Sequence, residues 1–233
     1  MTGQLYIRLT ARARLSRVGR AACNVDIATP GDLKQAFIFD LDGTLADSMP
    51  VHFEIWQVVA KKYGLTFPKE RFYELGGVPT RRIAAMLIEE AGLALDPVAV
   101  AAEKERAYVE GLMSGALAIR AIEPVVALAR ARRDDGPLAI ASGSTRRLVT
   151  RTLDALGIAD WFGAVVAAED TARHKPEPDV FLEAARRLGV AATSCTVYED
   201  TDLGLEAARR AGMTGVDVRP IIKAAAAALK PSA

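Results

Sequence analysis

Short apolar runs that alternate with helical patterns constrain the fold of this chain more than any other feature of its sequence. The runs are AFIF (36–39), PLAIAS (137–142), AVVAAE (164–169), CTVYE (195–199) and GVDV (215–218). The helical patterns after the second, third and fourth of these runs stop at Gly157, Gly189 and Gly212, and glycine suits a helix C-terminus. Strands that alternate with capped helices are typical of a doubly wound parallel sheet. We therefore predict an α/β fold with a parallel sheet covered on both faces.

One segment breaks this alternation. Residues 49–117 carry consecutive helical patterns separated by proline and glycine, and they show no strand pattern. A helical block inserted after the first strand predicts an all-helical cap over the edge of the sheet, with hinges near Pro50 and Gly115. The predicted parts are an Arg-rich N-terminal extension (1–33), a discontinuous core (34–48 and 118–223) and the cap (49–117).

The net charge, the two cysteines and the apolar runs argue against several classes of partner and site. Thirty basic and 29 acidic residues among 233 give a net charge of +1, so no strong field favours nucleic acid or a membrane surface. Cys23 and Cys195 lie far apart and have no ligand-spaced histidines, which argues against a disulfide framework and a zinc site. No apolar run approaches the ~18 residues of a membrane span. We expect a cytoplasmic protein with no obligate protein partner.

The N-terminal segment differs in composition from the rest of the chain. Residues 1–25 carry five arginines and no acidic side chain. Such a segment is typical of a transit peptide, of a poorly ordered arm, or of a start codon placed too early. It therefore does not enter the fold prediction.

The first apolar run ends in two carboxylates. In AFIFDLDGTLADS (36–48), Asp40 follows the strand directly and Asp42 comes two residues later. Ligands bind at the carboxyl ends of strands in open α/β sheets, so this position favours chemistry. The alternative is a hairpin turn at Asp42 and Gly43, but no alternating strand pattern follows.

A second acidic pair closes the run CTVYE. Glu199 and Asp200 repel each other and lose hydration at a strand end unless a cation is present. Mg²⁺ prefers oxygen ligands and is commonly held by one or two carboxylates plus phosphate. The pair therefore predicts a magnesium site, with capping of the next helix as the alternative for Asp200.

Four motifs in order resemble the signatures of the haloacid dehalogenase (HAD) superfamily of phosphotransferases: DLDGT (40–44), ASGS (141–144), KPEP (175–178) and YEDTDLG (198–204). The resemblance implies a Rossmann-like core and a phosphomonoesterase in which Asp40 forms an aspartyl phosphate. Asp42 would act as general acid and base, provided that its environment raises its pKa. Asp42 also argues against dehalogenase and phosphonate-cleaving members, which lack this second aspartate.

The resemblance assigns roles to two further core motifs. Ser142 is expected to hydrogen-bond the transferring phosphoryl group, while Ser144 is expected to cap the next helix. Lys175 is expected to offset charge beside the phosphate and the nucleophile, although a solvated lysine is the usual alternative.

The phosphate-binding and metal-binding sets complete the prediction for the core. Gly43 lets the backbone approach the phosphate, Thr44 adds a hydroxyl or is an ordinary turn threonine, and Gly143 is a further phosphate contact. The resemblance completes the metal site with the Asp40 carboxylate and the Asp42 main-chain carbonyl. The predicted magnesium ligands are thus Asp40, Asp42, Glu199 and Asp200.

The cap resembles the β-phosphoglucomutase-like branch of the superfamily through DSMPVHFEIW and GGVPTRRI. His52 and Trp56 match the HxxxW of that branch, and Lys104 in KERAY matches its cap lysine. All three are predicted to contact the substrate. The alternatives are a packing role for Trp56 and solvated helix positions for His52 and Lys104.

Two departures favour a phosphatase within that branch. Thr80 stands where the mutase has an arginine that grips a second phosphate, and AIEPV replaces the usual Pro-Gly. Whether Arg81 or Arg82 reaches the site stays open. We predict a Mg²⁺-dependent phosphatase of a small sugar phosphate or sugar-acid phosphate, as for members that act on fructose 1-phosphate or 6-phosphogluconate. The alternatives are a β-phosphoglucomutase and a non-catalytic binding module of the same fold.

Overall fold

The central sheet follows the predicted alternation. The computed structural model describes residues 35–228 and the backbone of a short antiparallel strand pair, β1 (Ile7–Arg8) and β2 (Asp26–Ile27). The other strands are β3 (Ala36–Phe39), β4 (Ala46–Asp47), β5 (Arg120–Ala121), β6 (Leu138–Ala141), β7 (Phe162–Val166), β8 (Cys195–Glu199) and β9 (Thr214–Asp217). Five of them form a parallel sheet in the order β7-β6-β3-β8-β9.

The strand order places a crevice beside β3. The chain winds from β3 to β6 and β7 on one side, then returns to β8 and β9 on the other. A ligand-binding crevice opens at the carboxyl ends of strands where the winding reverses. All the described pairings of β3 are parallel, so the alternative of a hairpin turn at Asp42 and Gly43 is wrong.

Helices cover both faces of the sheet. They are α1 (Met49–Tyr63), α2 (Lys69–Glu74), α3 (Thr80–Ala91), α4 (Pro97–Ser114), α5 (Glu123–Arg132), α6 (Arg146–Leu156), α7 (Asp179–Leu188), α8 (Asp202–Arg210) and α9 (Arg219–Ala228). Successive strand residues point to opposite faces. Ala36 and Ile38 therefore pack with α7 and α8, whereas Phe37 and Phe39 pack with α5 and α6.

Helices α1 to α4 build a separate apolar core, centred on the buried Trp56 and Tyr108. The segment 49–117 that carries them, called the cap below, leaves and rejoins the sheet domain through the antiparallel pair β4 and β5. This arrangement confirms the predicted fold class, a doubly wound parallel sheet with an inserted helical cap. The boundaries of the predicted parts stay a prediction.

Some predicted boundaries shift. The third strand was expected at 164–169 but runs from Phe162 to Val166, because Asp170 accepts from the Ala167 N–H and closes a turn there. Helices α6 and α7 are capped by Gly157 and Gly189 as predicted, whereas α8 ends two residues before Gly212.

Two further predictions concern regions beyond the core. Among the described residues, no helix is both long and apolar enough to cross a membrane. The role of the N-terminal extension and the state of Cys23 lie outside the residues whose side chains are described, while Cys195 is a buried free thiol.

Candidate active site

The carboxyl ends of three neighbouring strands bring the motifs together. Asp40 follows β3, Ser142 follows β6, and Glu199 is the last residue of β8. Because the three strands run parallel with β3 in the middle, these side chains meet at one edge of the sheet. Each is at most 4% exposed. The first, second and fourth motifs therefore converge on one buried point.

Lys175, from the loop before α7, lies between two carboxylates. Its Nζ donates to Asp40 Oδ1 at 2.6 Å and to Glu199 Oε2 at 2.7 Å. Burial alone would lower the pKa of the ammonium, but attraction to Asp40 and Glu199 outweighs burial and raises that pKa. The lysine side chain is 1% exposed, so the alternative of a solvated lysine is wrong. Lys175 is a fixed cation beside Asp40.

Three carboxylates, from Asp40, Glu199 and Asp200, form an acidic cluster. One carboxylate oxygen from each residue lies within 4.8 Å of the corresponding oxygens of the other two. Burial, followed by repulsion from Glu199, raises the pKa of Asp40 well above its ordinary value and the pKa of Asp200 to about 7. Hard divalent cations bind carboxylate oxygens and offset such repulsion. The acidic cluster therefore fits the predicted magnesium site, and the metal itself stays a prediction.

Two residues of the first motif hold Asp200 in the cluster. Thr44 Oγ1 donates to Asp200 Oδ1 at 2.7 Å. Gly43 has a φ of +92°, and a Cβ there would lie 2.3 Å from Asp200 Oδ2. Helix α8 is capped by Thr201, so the alternative of Asp200 as a helix cap is wrong. Phosphate contacts by Gly43 and Thr44 stay a prediction.

The sequence prediction did not include Thr201, which Glu199 holds at the start of α8. Glu199 Oε1 accepts from the Thr201 N–H at 3.0 Å and from its hydroxyl at 2.7 Å. The same hydroxyl oxygen accepts from Gly204 N–H at 3.0 Å. A threonine directly before a helical pattern is an N-cap signal that could have identified this residue. Its contact with Glu199, by contrast, has no local signal.

The Asp42 carboxylate lies outside the acidic cluster and accepts three hydrogen bonds. The donors are Ser48 Oγ at 2.6 Å, Ser144 Oγ at 2.7 Å and His52 Nε2 at 3.2 Å. Burial alone would raise the pKa of Asp42, but His52 and the serines outweigh burial and hold that pKa well below its ordinary value. The raised pKa expected for a general acid is therefore absent, and the arrangement holds Asp42 ionised, the form of a general base. Its main-chain carbonyl stays a predicted metal ligand.

The expectation that Ser144 caps α6 is wrong. The N-cap residue is Thr145, which makes no side-chain capping bond. Ser144 Oγ instead donates to Asp42, because a buried carboxylate is a stronger acceptor than a neutral group. Ser142 Oγ accepts from the Ser144 N–H at 3.0 Å. Ser48, which the sequence prediction did not include, likewise stands at the N-cap of α1 but makes no capping bond.

His52 and Lys104 continue the contacts of Asp42 into the cap. Lys104 Nζ lies 2.8 Å from His52 Nδ1, and the two residues are 3% and 5% exposed, so the alternative of solvated positions is wrong. Burial and the charge of Lys104 lower the pKa of His52, and burial lowers the pKa of Lys104 to about 8. A neutral His52 therefore accepts from Lys104 and donates to Asp42. Its ring stacks on Tyr108 at a centroid distance of 4.4 Å.

A cavity that opens to solvent lies between the cap and the core residues. Asp40, Asp42 and residues 142–144 line its core side, and the cap side includes Trp56, Thr80, His52, Lys104 and residues 75–78. The Trp56 ring also packs edge-on against Phe67 at 5.5 Å, so this residue has a packing role and faces the cavity too. Arg81 and Arg82 are exposed and do not line it.

The family model of the haloacid dehalogenase-like hydrolases matches residues 34–212, which include the whole acidic cluster, Lys175 and the cap. The chain belongs to this family. The family assignment made from the four motifs is thereby confirmed, and so is the fold class.

Relatives of this HAD-like hydrolase carry phosphatase names. The chain is 41% identical over 182 residues to fructose-1-phosphate phosphatase YqaB of Escherichia coli, covering 78% of this chain and 95% of that protein. It is 30% identical over 207 residues to a phosphorylated carbohydrates phosphatase of Thermotoga maritima, covering 84% and 93%. Among solved structures, a β-phosphoglucomutase from Clostridium difficile superposes with a TM-score of 0.70 at 25% identity, covering 79% of this chain and 84% of that one.

The family match and these phosphatase relatives confirm the predicted enzyme class, a HAD-type phosphomonoesterase, against the alternative of a non-catalytic binding module. The roles of individual site residues stay predictions.

Proposed function

We propose that this HAD-like hydrolase is a Mg²⁺-dependent phosphatase that hydrolyses a small sugar phosphate or sugar-acid phosphate through an aspartyl phosphate at Asp40. The observation that carries the proposal is the buried pair of Asp40 and Lys175, joined at 2.6 Å. Asp40 also lines the cavity beneath the cap, together with polar side chains from both the core and the cap. The phosphatase relatives with sugar-phosphate names support the substrate class.

The first half of the proposed reaction transfers the phosphoryl group to the protein. An oxygen of Asp40 forms a bond to phosphorus while the bond from phosphorus to the sugar oxygen breaks. The fixed ammonium of Lys175 offsets the negative charge of the transferring group. Mg²⁺ bound by Asp40, Glu199, Asp200 and the Asp42 carbonyl would neutralise further charge.

Asp42 handles the protons in this scheme. Protonated, it donates its proton to the departing sugar oxygen. It then takes a proton from the water whose oxygen bonds to phosphorus, while the bond between the Asp40 oxygen and phosphorus breaks and inorganic phosphate leaves. The three hydrogen bonds that it accepts from Ser48, Ser144 and His52 favour the ionised form, which suits the second half of the reaction. To donate a proton in the first half, Asp42 must exchange at least one of these donors for the substrate oxygen.

The cap favours water over a second sugar hydroxyl as the acceptor. A mutase must hold the non-reacting phosphate of a bisphosphate, which calls for cationic side chains in the cap. Among the described residues that line the cavity, Lys104 is the only cation, and it is hydrogen-bonded to His52. Thr80 is neutral and Arg81 and Arg82 lie outside the cavity, which supports a phosphatase.

The experiment measures phosphate release by purified protein from fructose 1-phosphate and 6-phosphogluconate with Mg²⁺. Asp40→Asn removes the nucleophile at nearly constant shape and should lower turnover by roughly a thousandfold or more. Asp154→Asn, at a surface position of α6, is the matched control and should keep wild-type turnover. Near wild-type turnover in Asp40→Asn would refute the aspartyl-phosphate mechanism.

A second assay separates the phosphatase from the mutase. The enzyme is given β-glucose 1-phosphate and a trace of glucose 1,6-bisphosphate, and both glucose 6-phosphate and inorganic phosphate are followed. Inorganic phosphate should dominate. Rapid glucose 6-phosphate formation with little phosphate release would instead establish the mutase.

A further inference from the structure

The loop between α2 and α3 (75–79), called the cap loop below, lies directly over the catalytic loops of the core. Its Gly77 carbonyl reaches Gly143 in the ASGS motif so closely that a Cβ on Gly143 would lie 2.3 Å from the carbonyl oxygen. Real Cβ atoms need about 1 Å more than this. The cap loop can therefore occupy this position only if residue 143 has no side chain.

The other side of the cap loop meets the remaining two catalytic loops. A Cβ on Gly77 would lie 3.3 Å from Lys175 Cδ, and one on Gly76 would lie 3.0 Å from Thr201 Cγ2. Lys175 bonds Asp40, and Thr201 bonds Glu199. The backbone of Gly76 and Gly77 thus fits between the Ser142–Ser144 loop and the two residues that position the nucleophile and the acidic cluster.

The two glycines of this contact, Gly77 and Gly143, differ in backbone conformation. Gly77 has a φ of +82°, so glycine is favoured there for conformational reasons as well as for space. Gly143 is not among the glycines with positive φ, so its φ does not by itself call for glycine. The close approach of the Gly77 carbonyl is the constraint that the structure shows on the side chain at position 143.

We propose that Gly143 is a positioning residue that sets the closed position of the cap, because only glycine at position 143 leaves room for the Gly77 carbonyl against the core. The contact between Gly77 and Gly143 holds the cap residues around the cavity at a fixed distance from Asp40 and Asp42. The inference rests on the proposed function for the identity of the substrate. Gly143 acts through the cap loop, in addition to any contact of its own N–H with phosphate.

The consequence for catalysis is a geometric one. With alanine at position 143, the cap loop stands roughly 1 Å further out, and a displacement of this size can reduce the rate by about a hundredfold when reacting groups must be aligned. A substrate that fills the cap should lose this alignment. A small aryl phosphate gains little from cap closure, so its alignment should not depend on the position of the cap loop.

The test compares Gly143→Ala with Gly163→Ala. Gly163 lies in β7, has no positive φ, and a Cβ there would meet its nearest neighbour, Leu188 Cδ2, at an ordinary 3.5 Å. Amide hydrogen exchange of residues 74–80 is measured in both variants and the wild type. Exchange should rise roughly threefold or more in Gly143→Ala only, with the melting temperature of both variants close to that of the wild type.

Kinetics provide the second readout. In Gly143→Ala, the ratio of kcat/KM for fructose 1-phosphate to kcat/KM for p-nitrophenyl phosphate should fall by about tenfold or more relative to the wild type, because only the sugar substrate depends on the position of the cap. Unchanged exchange at residues 74–80, or equal losses on both substrates, would overturn the proposal. If the wild type hydrolyses neither fructose 1-phosphate nor 6-phosphogluconate, the failure concerns the proposed function, and the exchange measurement alone decides the role of Gly143.

Discussion

The ammonium of Lys104 lies 2.8 Å from the neutral His52 and is 3% exposed, so this side chain is costly to fold. Burial lowers its pKa to about 8, against an ordinary value of 10.5. Each unit of that difference corresponds to about 1.4 kcal/mol, or roughly 3 kcal/mol in all at pH 7. We therefore predict that Lys104 contributes to ligand binding or to the catalytic residues and lowers the stability of the fold.

We predict that Lys104→Met stabilises the protein and impairs it as an enzyme. Methionine removes the buried charge, but it leaves His52 Nδ1 unpaired at a cost of about 1–3 kcal/mol, so the net gain at pH 7 should be on the order of 1 kcal/mol. Urea unfolding measures this gain. The variant should lose kcat/KM for sugar phosphate while hydrolysing p-nitrophenyl phosphate as well as the wild type. Equal losses on the two substrates would show that Lys104 only holds the cap together.

The difference in unfolding free energy between the wild type and Lys104→Met should change with pH in one direction. Burial lowers the pKa of folded Lys104 to about 8, whereas in the unfolded chain the lysine has its ordinary value of 10.5, so the unfolded state binds more protons between these two values. Wild-type stability relative to Lys104→Met should therefore rise from pH 7 towards pH 10, and the advantage of the variant should shrink. An advantage that is constant over this range would contradict the buried ammonium.

Helix α4 of the cap is attached to helix α6 of the core along one face. Leu148 of α6 belongs to the apolar core of the cap. The Tyr108 hydroxyl lies 2.9 Å from Thr152 Oγ1 in a buried hydrogen bond. The cap thus contacts the core at α6 through Leu148 and Tyr108, and the cap loop adds the close approach of Gly77 to Gly143.

Tyr108→Phe should destabilise the protein by about 1–3 kcal/mol, because it leaves the buried Thr152 hydroxyl without its partner. Thermal or urea unfolding measures the change. Tyr63→Phe is the control: its hydroxyl bonds Glu103 in a less buried contact between α1 and α4, and its loss should cost less than about 1 kcal/mol. The double variant Tyr108→Phe/Thr152→Val should recover most of the loss. Equal effects of the two single variants would contradict a special role for the contact between α4 and α6.

Metal binding to the acidic cluster should change the stability of the whole protein, because the cluster lies at the ends of β3 and β8 in the middle of the sheet. Its three carboxylates repel one another, and Lys175 is the only described cation bonded to them. A cation that binds the folded state alone stabilises it by about 2.7 kcal/mol at a concentration one hundred times its Kd. We therefore expect Mg²⁺ to raise the melting temperature of the whole protein by several degrees, and chelation to reverse the rise.

Asp200→Ala should remove this response to Mg²⁺. Without metal, the variant should melt above the wild type, because one of three mutually repelling carboxylates is gone. Asp154→Ala, on the exposed surface of α6, should respond to Mg²⁺ as the wild type does. If Mg²⁺ raised the melting temperature of Asp200→Ala as much as that of the wild type, the assignment of the acidic cluster as the metal site would be wrong.

The sequence alone was sufficient for the fold class and the core motifs. Strand and helix patterns depend on neighbouring residues, so the alternation and most strand positions could be predicted, and the four motifs identified the family. Asp40, Ser142 and Glu199 could be expected to meet because parallel strands bring their carboxyl ends to one edge. The edges of β7 and α8 shifted because turn contacts, such as that of Asp170, decide where an element stops.

Only the tertiary structure decided the contacts that connect the cap to the chemistry. Ser144 was expected to cap a helix and donates instead to Asp42, 102 positions away. Lys104, for which a solvated position was the alternative to a substrate contact, is buried against His52, 52 positions away. The approach of Gly77 to Gly143 joins two segments with no common pattern. Local sequence specifies what a side chain can do, whereas packing between distant segments determines which partner it finds and how much water it loses. The partners found by Asp42 hold its pKa low in spite of burial, whereas the loss of water lowers the pKa of Lys104, and both effects decide the proton chemistry of the site.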